Sequence, residues 1–227
     1  MKLNEALKSA LLTHEAFDII ENIIGEDYPT SFNMEEFKTL TSFKDRIAYC
    51  NQHLRKIASG SSRVVFMIDN EKVLKLAKNK KGLAQNEVEY DYSQHLNSDP
   101  VLAKVFDADT DNHMWIEMEL ARKLTQSKFK QLRHYDWEHF AKEVMNVHYE
   151  NNGRRQPNRI PEDIKMFMWE DEVFAYQIFN LMVMYPEFKG GDLAKLNSYG
   201  LVKRNGEDTV ALIDFGLTNN VWDSYYS

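Results

Sequence analysis

The sequence predicts an α+β fold in which helices and strands are segregated along the chain. Helical apolar spacing runs through residues 1 to about 57, where Leu7, Leu11 and the run from Phe17 to Ile24 precede a stop at Gly25. Short β-branched runs then take over at residues 64–68 and 73–76. Helical spacing returns from Thr125, and the chain closes on a hairpin marked by Asn205-Gly206. That dipeptide suits a tight turn whose two central residues have positive φ. Helices, then strands around one helix, then helices and a hairpin make an α+β order.

The elements follow in turn. After the break at Tyr28-Pro29, Asn33 is placed to cap a short helix and Ser42 the next, which carries Ile47, Tyr49, Cys50 and Leu54. Residues 64–68 and 73–76 flank the turn Asp69-Asn70-Glu71 and read as a hairpin. The cluster Lys78-Asn79-Lys80-Lys81 reads as a solvated turn, and a helix is expected over residues 83–96. Strands are expected at 101–106 and 113–120, with the polar turn 107–112 between them. Helix follows from Thr125 through Trp137, Phe140, Val144 and Val147. Residues 151–161 form a loop holding Arg154, Arg155 and Arg159. Residues 163–185 are expected as one long, Met-rich core helix. Strands at 199–202 and 210–213 form the closing hairpin.

Composition bounds the function classes. The chain has 227 residues, 43% of them apolar, which suffices for a sizeable core. With 35 acidic against 28 basic residues the net charge is −7, which argues against general nucleic-acid or anionic-membrane partners. Cys50 is the single cysteine, so no intrachain disulfide and no cysteine-based zinc site can form. It reads as a small core residue. A cytoplasmic location is expected, since no signal-peptide pattern opens the chain and no run approaches the roughly eighteen apolar residues of a membrane span. His134 and His139 are five apart, which puts them on different faces of a helix and disfavours a shared metal.

Three places carry chemistry. Before the first hairpin stand Gly60, Ser61, Ser62 and Arg63, where a glycine and small hydroxyl residues let backbone N–H groups approach a phosphate. Lys75 interrupts an apolar strand, sharing a face with Val73 while Leu74 and Leu76 take the other. A buried lysine needs a partner, and the next helix offers Glu87 and Glu89, of which Glu89 falls nearer the apolar stripe. The third place is Asp192, with Asn197 five residues on, followed by the hairpin and Asp214-Phe215-Gly216. Two Asp and one Asn in that order supply an orienting base and oxygen ligands for metal-assisted phosphoryl transfer.

In this order the motifs resemble the protein-kinase-like superfamily over residues 58 to about 220. The resemblance implies a two-lobed fold with a truncated C-lobe and a helical N-terminal extension: residues 1–57 the extension, 58–121 the N-lobe, 122–227 an abbreviated helical C-lobe. It implies ATP and Mg²⁺ as cofactors. Gly60, Ser61 and Ser62 would cover the phosphates, and Lys75, braced by Glu87 or Glu89, would grip them. Glu119 to Ala121 would be the hinge that bonds adenine through its backbone, Asp192 the catalytic Asp, and Asn197 with Asp214 the metal ligands. The Gly191-Asp192-Leu193 wording is similar to small-molecule phosphotransferases, and the overall phrasing resembles small kinase-like proteins of bacteriophages.

The chain departs from the family in holding one glycine in the loop, Gly190-Gly191 before Asp192, and eleven residues after Gly216, where the peptide-binding segment of protein kinases would stand. The expected activity is MgATP-dependent phosphotransfer to an unidentified acceptor. The alternatives are a pseudokinase that binds nucleotide or a protein partner, and an AMP transferase on the same fold.

Overall fold

The computed structural model describes residues 28–96 and 100–225. The helical spacing expected from Leu7 to Ile24 lies outside the described residues. Two short helices come first, α1 (Met34–Thr39) and α2 (Phe43–His53). Their caps are the expected ones: the Asn33 side chain accepts from the Glu36 N–H at 3.1 Å and Ser42 Oγ from the Asp45 N–H at 3.1 Å.

An antiparallel sheet follows, built from β1 (Arg55–Ser59), β2 (Arg63–Met67), β3 (Lys72–Ala77), β4 (Val105–Ala108) and β5 (Trp115–Glu119) in the spatial order β1-β2-β3-β5-β4. Helix α3 (Lys80–His95) connects β3 to β4. Strand β1 begins inside the stretch expected to be helical. All five of its residues are exposed, so this edge strand has no buried alternation to show in sequence. Helix α3 starts three residues earlier than expected, because Asn79 caps it by accepting from the Gly82 N–H at 3.3 Å. Lys80 and Lys81 therefore belong to its first turn rather than to a free turn.

The strand expected at 101–106 lies at β4 instead. Val101, Leu102 and Ala103 are buried because they reach across to a second sheet: the Ala103 N–H donates to Leu212 O at 2.9 Å, and the Leu212 N–H to Val101 O at 2.7 Å. That second sheet has the order β6-β7-β8, from β6 (Arg122–Lys123), β7 (Tyr199–Arg204) and β8 (Glu207–Leu212). Asn205 (φ 53°) and Gly206 (φ 82°) make the turn of its hairpin.

Helices fill the rest: α4 (Gln126–Arg133), α5 (Trp137–Asn151), α6 (Glu162–Trp169), α7 (Ala175–Met184), α8 (Gly190–Leu193) and α9 (Asn219–Tyr225). The long helix expected over 163–185 is broken between α6 and α7. Asp171 is turned toward other elements, accepting from Tyr135 Oη at 2.8 Å and Arg133 Nη1 at 3.3 Å. The break leaves an outer face on which Met166 and Met184 are exposed, while Met168 and Met182 join the core.

Two apolar clusters hold these layers. Leu74 and Leu76 face one of them, with Phe37, Tyr49, Cys50 and Phe66 beneath α1 and α2. Val73 faces the other and larger one, which runs through Met118, Phe129, Phe140, Phe179, Tyr199 and Phe215. The period-two alternation of β3 thus sends Lys75, on the Val73 face, toward the side where the two sheets meet. The architecture is α+β, with a lysine on the third strand and the helix that carries Glu87 and Glu89 following it. Among the described residues no helix is long and apolar enough to cross a membrane.

Candidate functional site

Lys75 and Glu89 meet below the sheet. Lys75 Nζ lies 2.9 Å from Glu89 Oε2 and donates to the Ile213 carbonyl at 2.5 Å. Helix α3 carries Glu87 and Glu89 on opposite sides, since two residues turn the helix by about 200°. Glu89 is fully buried. The Glu87 side chain is 53% exposed and stands 3.9 Å from His113 Nε2. Glu89 is thus the partner of Lys75, and Glu87 is not.

Sequence reasoning put Arg63 in the phosphate loop, but it is the first residue of β2. Its guanidinium forks onto Glu89, with Nη1 2.7 Å from Oε2 and Nη2 3.0 Å from Oε1. Nη2 also reaches Asp214 Oδ1 at 2.6 Å. The Phe215 N–H donates to Glu89 Oε1 at 3.2 Å. One carboxylate therefore gathers β2, β3 and the Asp-Phe-Gly turn. Burial alone would push the Glu89 carboxyl up, but Arg63 and then Lys75 hold it below the usual carboxylate range. Burial draws the Lys75 ammonium below its ordinary value, against the pull of Glu89.

The loop between β1 and β2 closes over this cluster. The Gly60 N–H donates to Arg63 O at 2.9 Å. Its carbonyls are tied to the start of α3: Lys78 Nζ bonds Gly60 O at 2.8 Å and Asn79 Nδ2 bonds Ser61 O at 3.0 Å. Ser62 is buried, its hydroxyl donating to Gln85 Oε1 at 2.6 Å. Gly82 must be glycine for this contact, because a Cβ there would fall 2.3 Å from the Ser62 carbonyl oxygen.

A cleft of about 470 Å³ opens beneath the loop and brings together Gly60, Ser61, Ser62, Lys75, Asp192, Asn197 and Asp214. Asp192 sits in α8 and is ion-paired with Lys195, which lines the same cleft. Gly190 lets α8 lie against α5, where a Cβ would come 2.5 Å from His148 Cβ. Asn197 stands exposed in the turn Leu196–Ser198. Ala121 lines an adjoining cavity of about 490 Å³ that shares Lys195, Asn197 and Ile213 with the cleft.

Glu119 lies apart from both cavities. Its carboxylate accepts from Arg204 Nη2 at 2.7 Å and from the Lys104 N–H at 3.1 Å, and its own N–H donates to Lys104 O at 2.8 Å. Its side chain thus braces the two sheets, and of the expected hinge residues it is Ala121 that borders a cavity.

Asp214 and Asn197 present oxygen donors of the kind Mg²⁺ takes. Among the described residues no group of three or more His, Cys, Asp or Glu is gathered to hold a metal alone. Asp214 and Asn197 line the same cleft, and their donor type suits a hard cation. A further cavity of about 540 Å³, lined by Glu87, Asp91, Tyr92 and Glu187, lies on the other side of α3 and includes neither Lys75 nor Asp214. Sequence reasoning missed Lys195 and Trp222, both on the cleft. The signal for Lys195 was its place between Asp192 and Asn197.

No protein-family model and no curated protein sequence matches the chain. Among solved structures it is similar to an ADP-bound aminoglycoside phosphotransferase, at 12% identity over 77% of this chain and 69% of that one, with a TM-score of 0.37. It is also similar to the GDP complex of a wild-type aminoglycoside 2'-phosphotransferase, at 12% identity over 78% and 73% with a TM-score of 0.38. SAICAR-synthase from Saccharomyces cerevisiae, complexed with SAICAR, is similar at 11% identity over 73% and 74% with a TM-score of 0.34.

Proposed function

We propose that this chain is a MgATP-dependent phosphotransferase acting on an acceptor hydroxyl. The observation that carries the reading is the buried Lys75–Glu89 pair opening onto one cleft with Asp192, Asn197 and Asp214. In this reading residues 58–121 cover the nucleotide and residues 122–227 supply the catalytic hairpin, with residues 1–57 as an extension. The loop at Gly60, Ser61 and Ser62 shields the phosphates from water. Lys75, aimed by Glu89, binds phosphate oxygens. Ala121 lines the end of the site that receives the base.

Asp214 and Asn197 would hold Mg²⁺, whose charge when bound offsets that of the phosphates. Asp192 accepts the proton as the acceptor oxygen bonds to the γ-phosphorus. The bond from that phosphorus to the β–γ bridging oxygen breaks, and ADP leaves with the electron pair. Lys195, which pairs with Asp192, would steady the transferring group.

The test incubates the protein with γ-labelled ATP and Mg²⁺, alone and with small hydroxyl acceptors and a cell lysate, and follows label and intact mass. Label transfer that falls about 10²–10⁴-fold in Asp192→Asn supports the reading. Absence of any transfer contradicts it. A gain of one adenylate mass without label would instead identify AMP transfer.

A second reading, a pseudokinase that works by binding a nucleotide or a protein partner, draws support from one observation. Both candidate catalytic carboxylates already carry a cation of the chain, Asp214 with Arg63 and Asp192 with Lys195.

A further inference from the structure

Arg63 is not needed by the chemistry above, yet it bonds Glu89, Asn86 and Asp214 at the cleft. It is 7% exposed, and its fork onto both oxygens of Glu89 fixes the guanidinium in place. The remaining reach of Nη2 goes to Asp214 Oδ1 at 2.6 Å, and Nη1 lies 3.4 Å from Asn86 Oδ1. The charges beneath the cleft are thus Arg63 and Lys75 against Glu89, a surplus of one positive charge. Asp214, whose side chain is 55% exposed, supplies the balancing negative charge.

We infer that Arg63 makes divalent-cation binding at Asp214 conditional on nucleotide, an inference that rests on the cleft being a magnesium–nucleotide site. A divalent cation arriving alone meets a carboxylate that is already neutralised, with a guanidinium in contact with it. Repulsion between the two cations opposes binding. A phosphate group reverses the balance. It satisfies the surplus positive charge of Arg63 and Lys75, leaves Asp214 free to share, and adds the oxygen ligands that two protein donors lack. Arg63 acts through Asp214 and is a positioning residue.

Mn²⁺ titration of the nucleotide-free protein tests this, with binding read by electron paramagnetic resonance and folding checked by circular dichroism. Wild type should show no saturation up to about millimolar Mn²⁺. Arg63→Gln should bind Mn²⁺ about tenfold or more tightly, as expected on removing a unit charge in contact with the ligand. Adding Asp214→Asn to Arg63→Gln should abolish that gain. Arg63→Lys, which keeps the charge, should stay weak. A non-hydrolysable ATP analogue in EDTA should bind Arg63→Gln more weakly than wild type.

Tight Mn²⁺ binding by nucleotide-free wild type overturns the inference, and that arm needs no variant. So does an Arg63→Gln protein with unchanged or weaker Mn²⁺ affinity, or an Arg63→Lys protein that behaves like Arg63→Gln. If the analogue binds wild type while Mn²⁺ ignores Arg63, this inference fails alone. If the analogue never binds, the nucleotide reading fails and takes the inference with it.

Discussion

Glu89 Oε2 accepts from Lys75 Nζ at 2.9 Å, and the same carboxylate takes the Arg63 fork, so one buried anion serves two buried cations. The consequence is an asymmetry between the partners. Glu89→Gln removes the buried anion that Arg63 and Lys75 share, leaving Asp214 to face both cations, and should cost roughly 3–5 kcal/mol of stability. Lys75→Met leaves Glu89 bonded to Arg63 and to the Phe215 N–H, and should cost about 1–2 kcal/mol. Glu87→Gln, on the exposed side of α3, should stay within about 0.5 kcal/mol of wild type. Urea denaturation of the three variants checks the order.

Glu89 also sets an acid limit. Its folded-state pKa is depressed, so its contribution is complete above the ordinary carboxylate value of about 4.3 and is lost as pH falls through the folded value. Thermal melts of wild type and Glu89→Gln should lie furthest apart near neutrality. The gap should begin to narrow below about pH 4 and close only below the folded value. A constant gap across that range would mean that Glu89 has the same pKa in the folded and unfolded protein.

Cys50 is fully buried between α2 and the sheet, and burial pushes its thiol up to about 12, with Arg46 opposing. A thiol so held is not a nucleophile at neutral pH. Iodoacetamide should leave the native protein unmodified and label one site after unfolding, as read by intact mass.

Gly216 is glycine because of packing. A Cβ there would lie 2.5 Å from the Gln85 carbonyl oxygen and 2.9 Å from Gln85 Cβ. Gly216→Ala should push the Asp-Phe-Gly turn away from α3 at a cost of about 1–3 kcal/mol. Its denaturation midpoint should fall accordingly, and nucleotide affinity with it.

The legible parts of the sequence were those with strong local signals. Lys75 stood out because a charge broke the apolar alternation of β3, and Asn205-Gly206 because few other residues accept positive φ. The caps at Asn33 and Ser42 were readable for the same local reason. What was not legible depends on distant partners. Strand β1 buries nothing, so its pairing with β2 leaves no pattern. The break after Trp169 is made by Tyr135 and Arg133 reaching Asp171, more than thirty residues away in sequence. Arg63 looked like a loop residue because its bonds run to Glu89 and Asp214, which only the folded chain brings near.

Thermal melting with and without MgATP, for wild type, Lys75→Met and Asp214→Asn, tests the nucleotide site most directly. At a hundred times the dissociation constant a bound nucleotide should stabilise wild type by about 2.7 kcal/mol, a rise of several degrees. Both variants should lose most of that rise. No shift in wild type, or an equal shift in all three proteins, would contradict a nucleotide site built on Lys75 and Asp214.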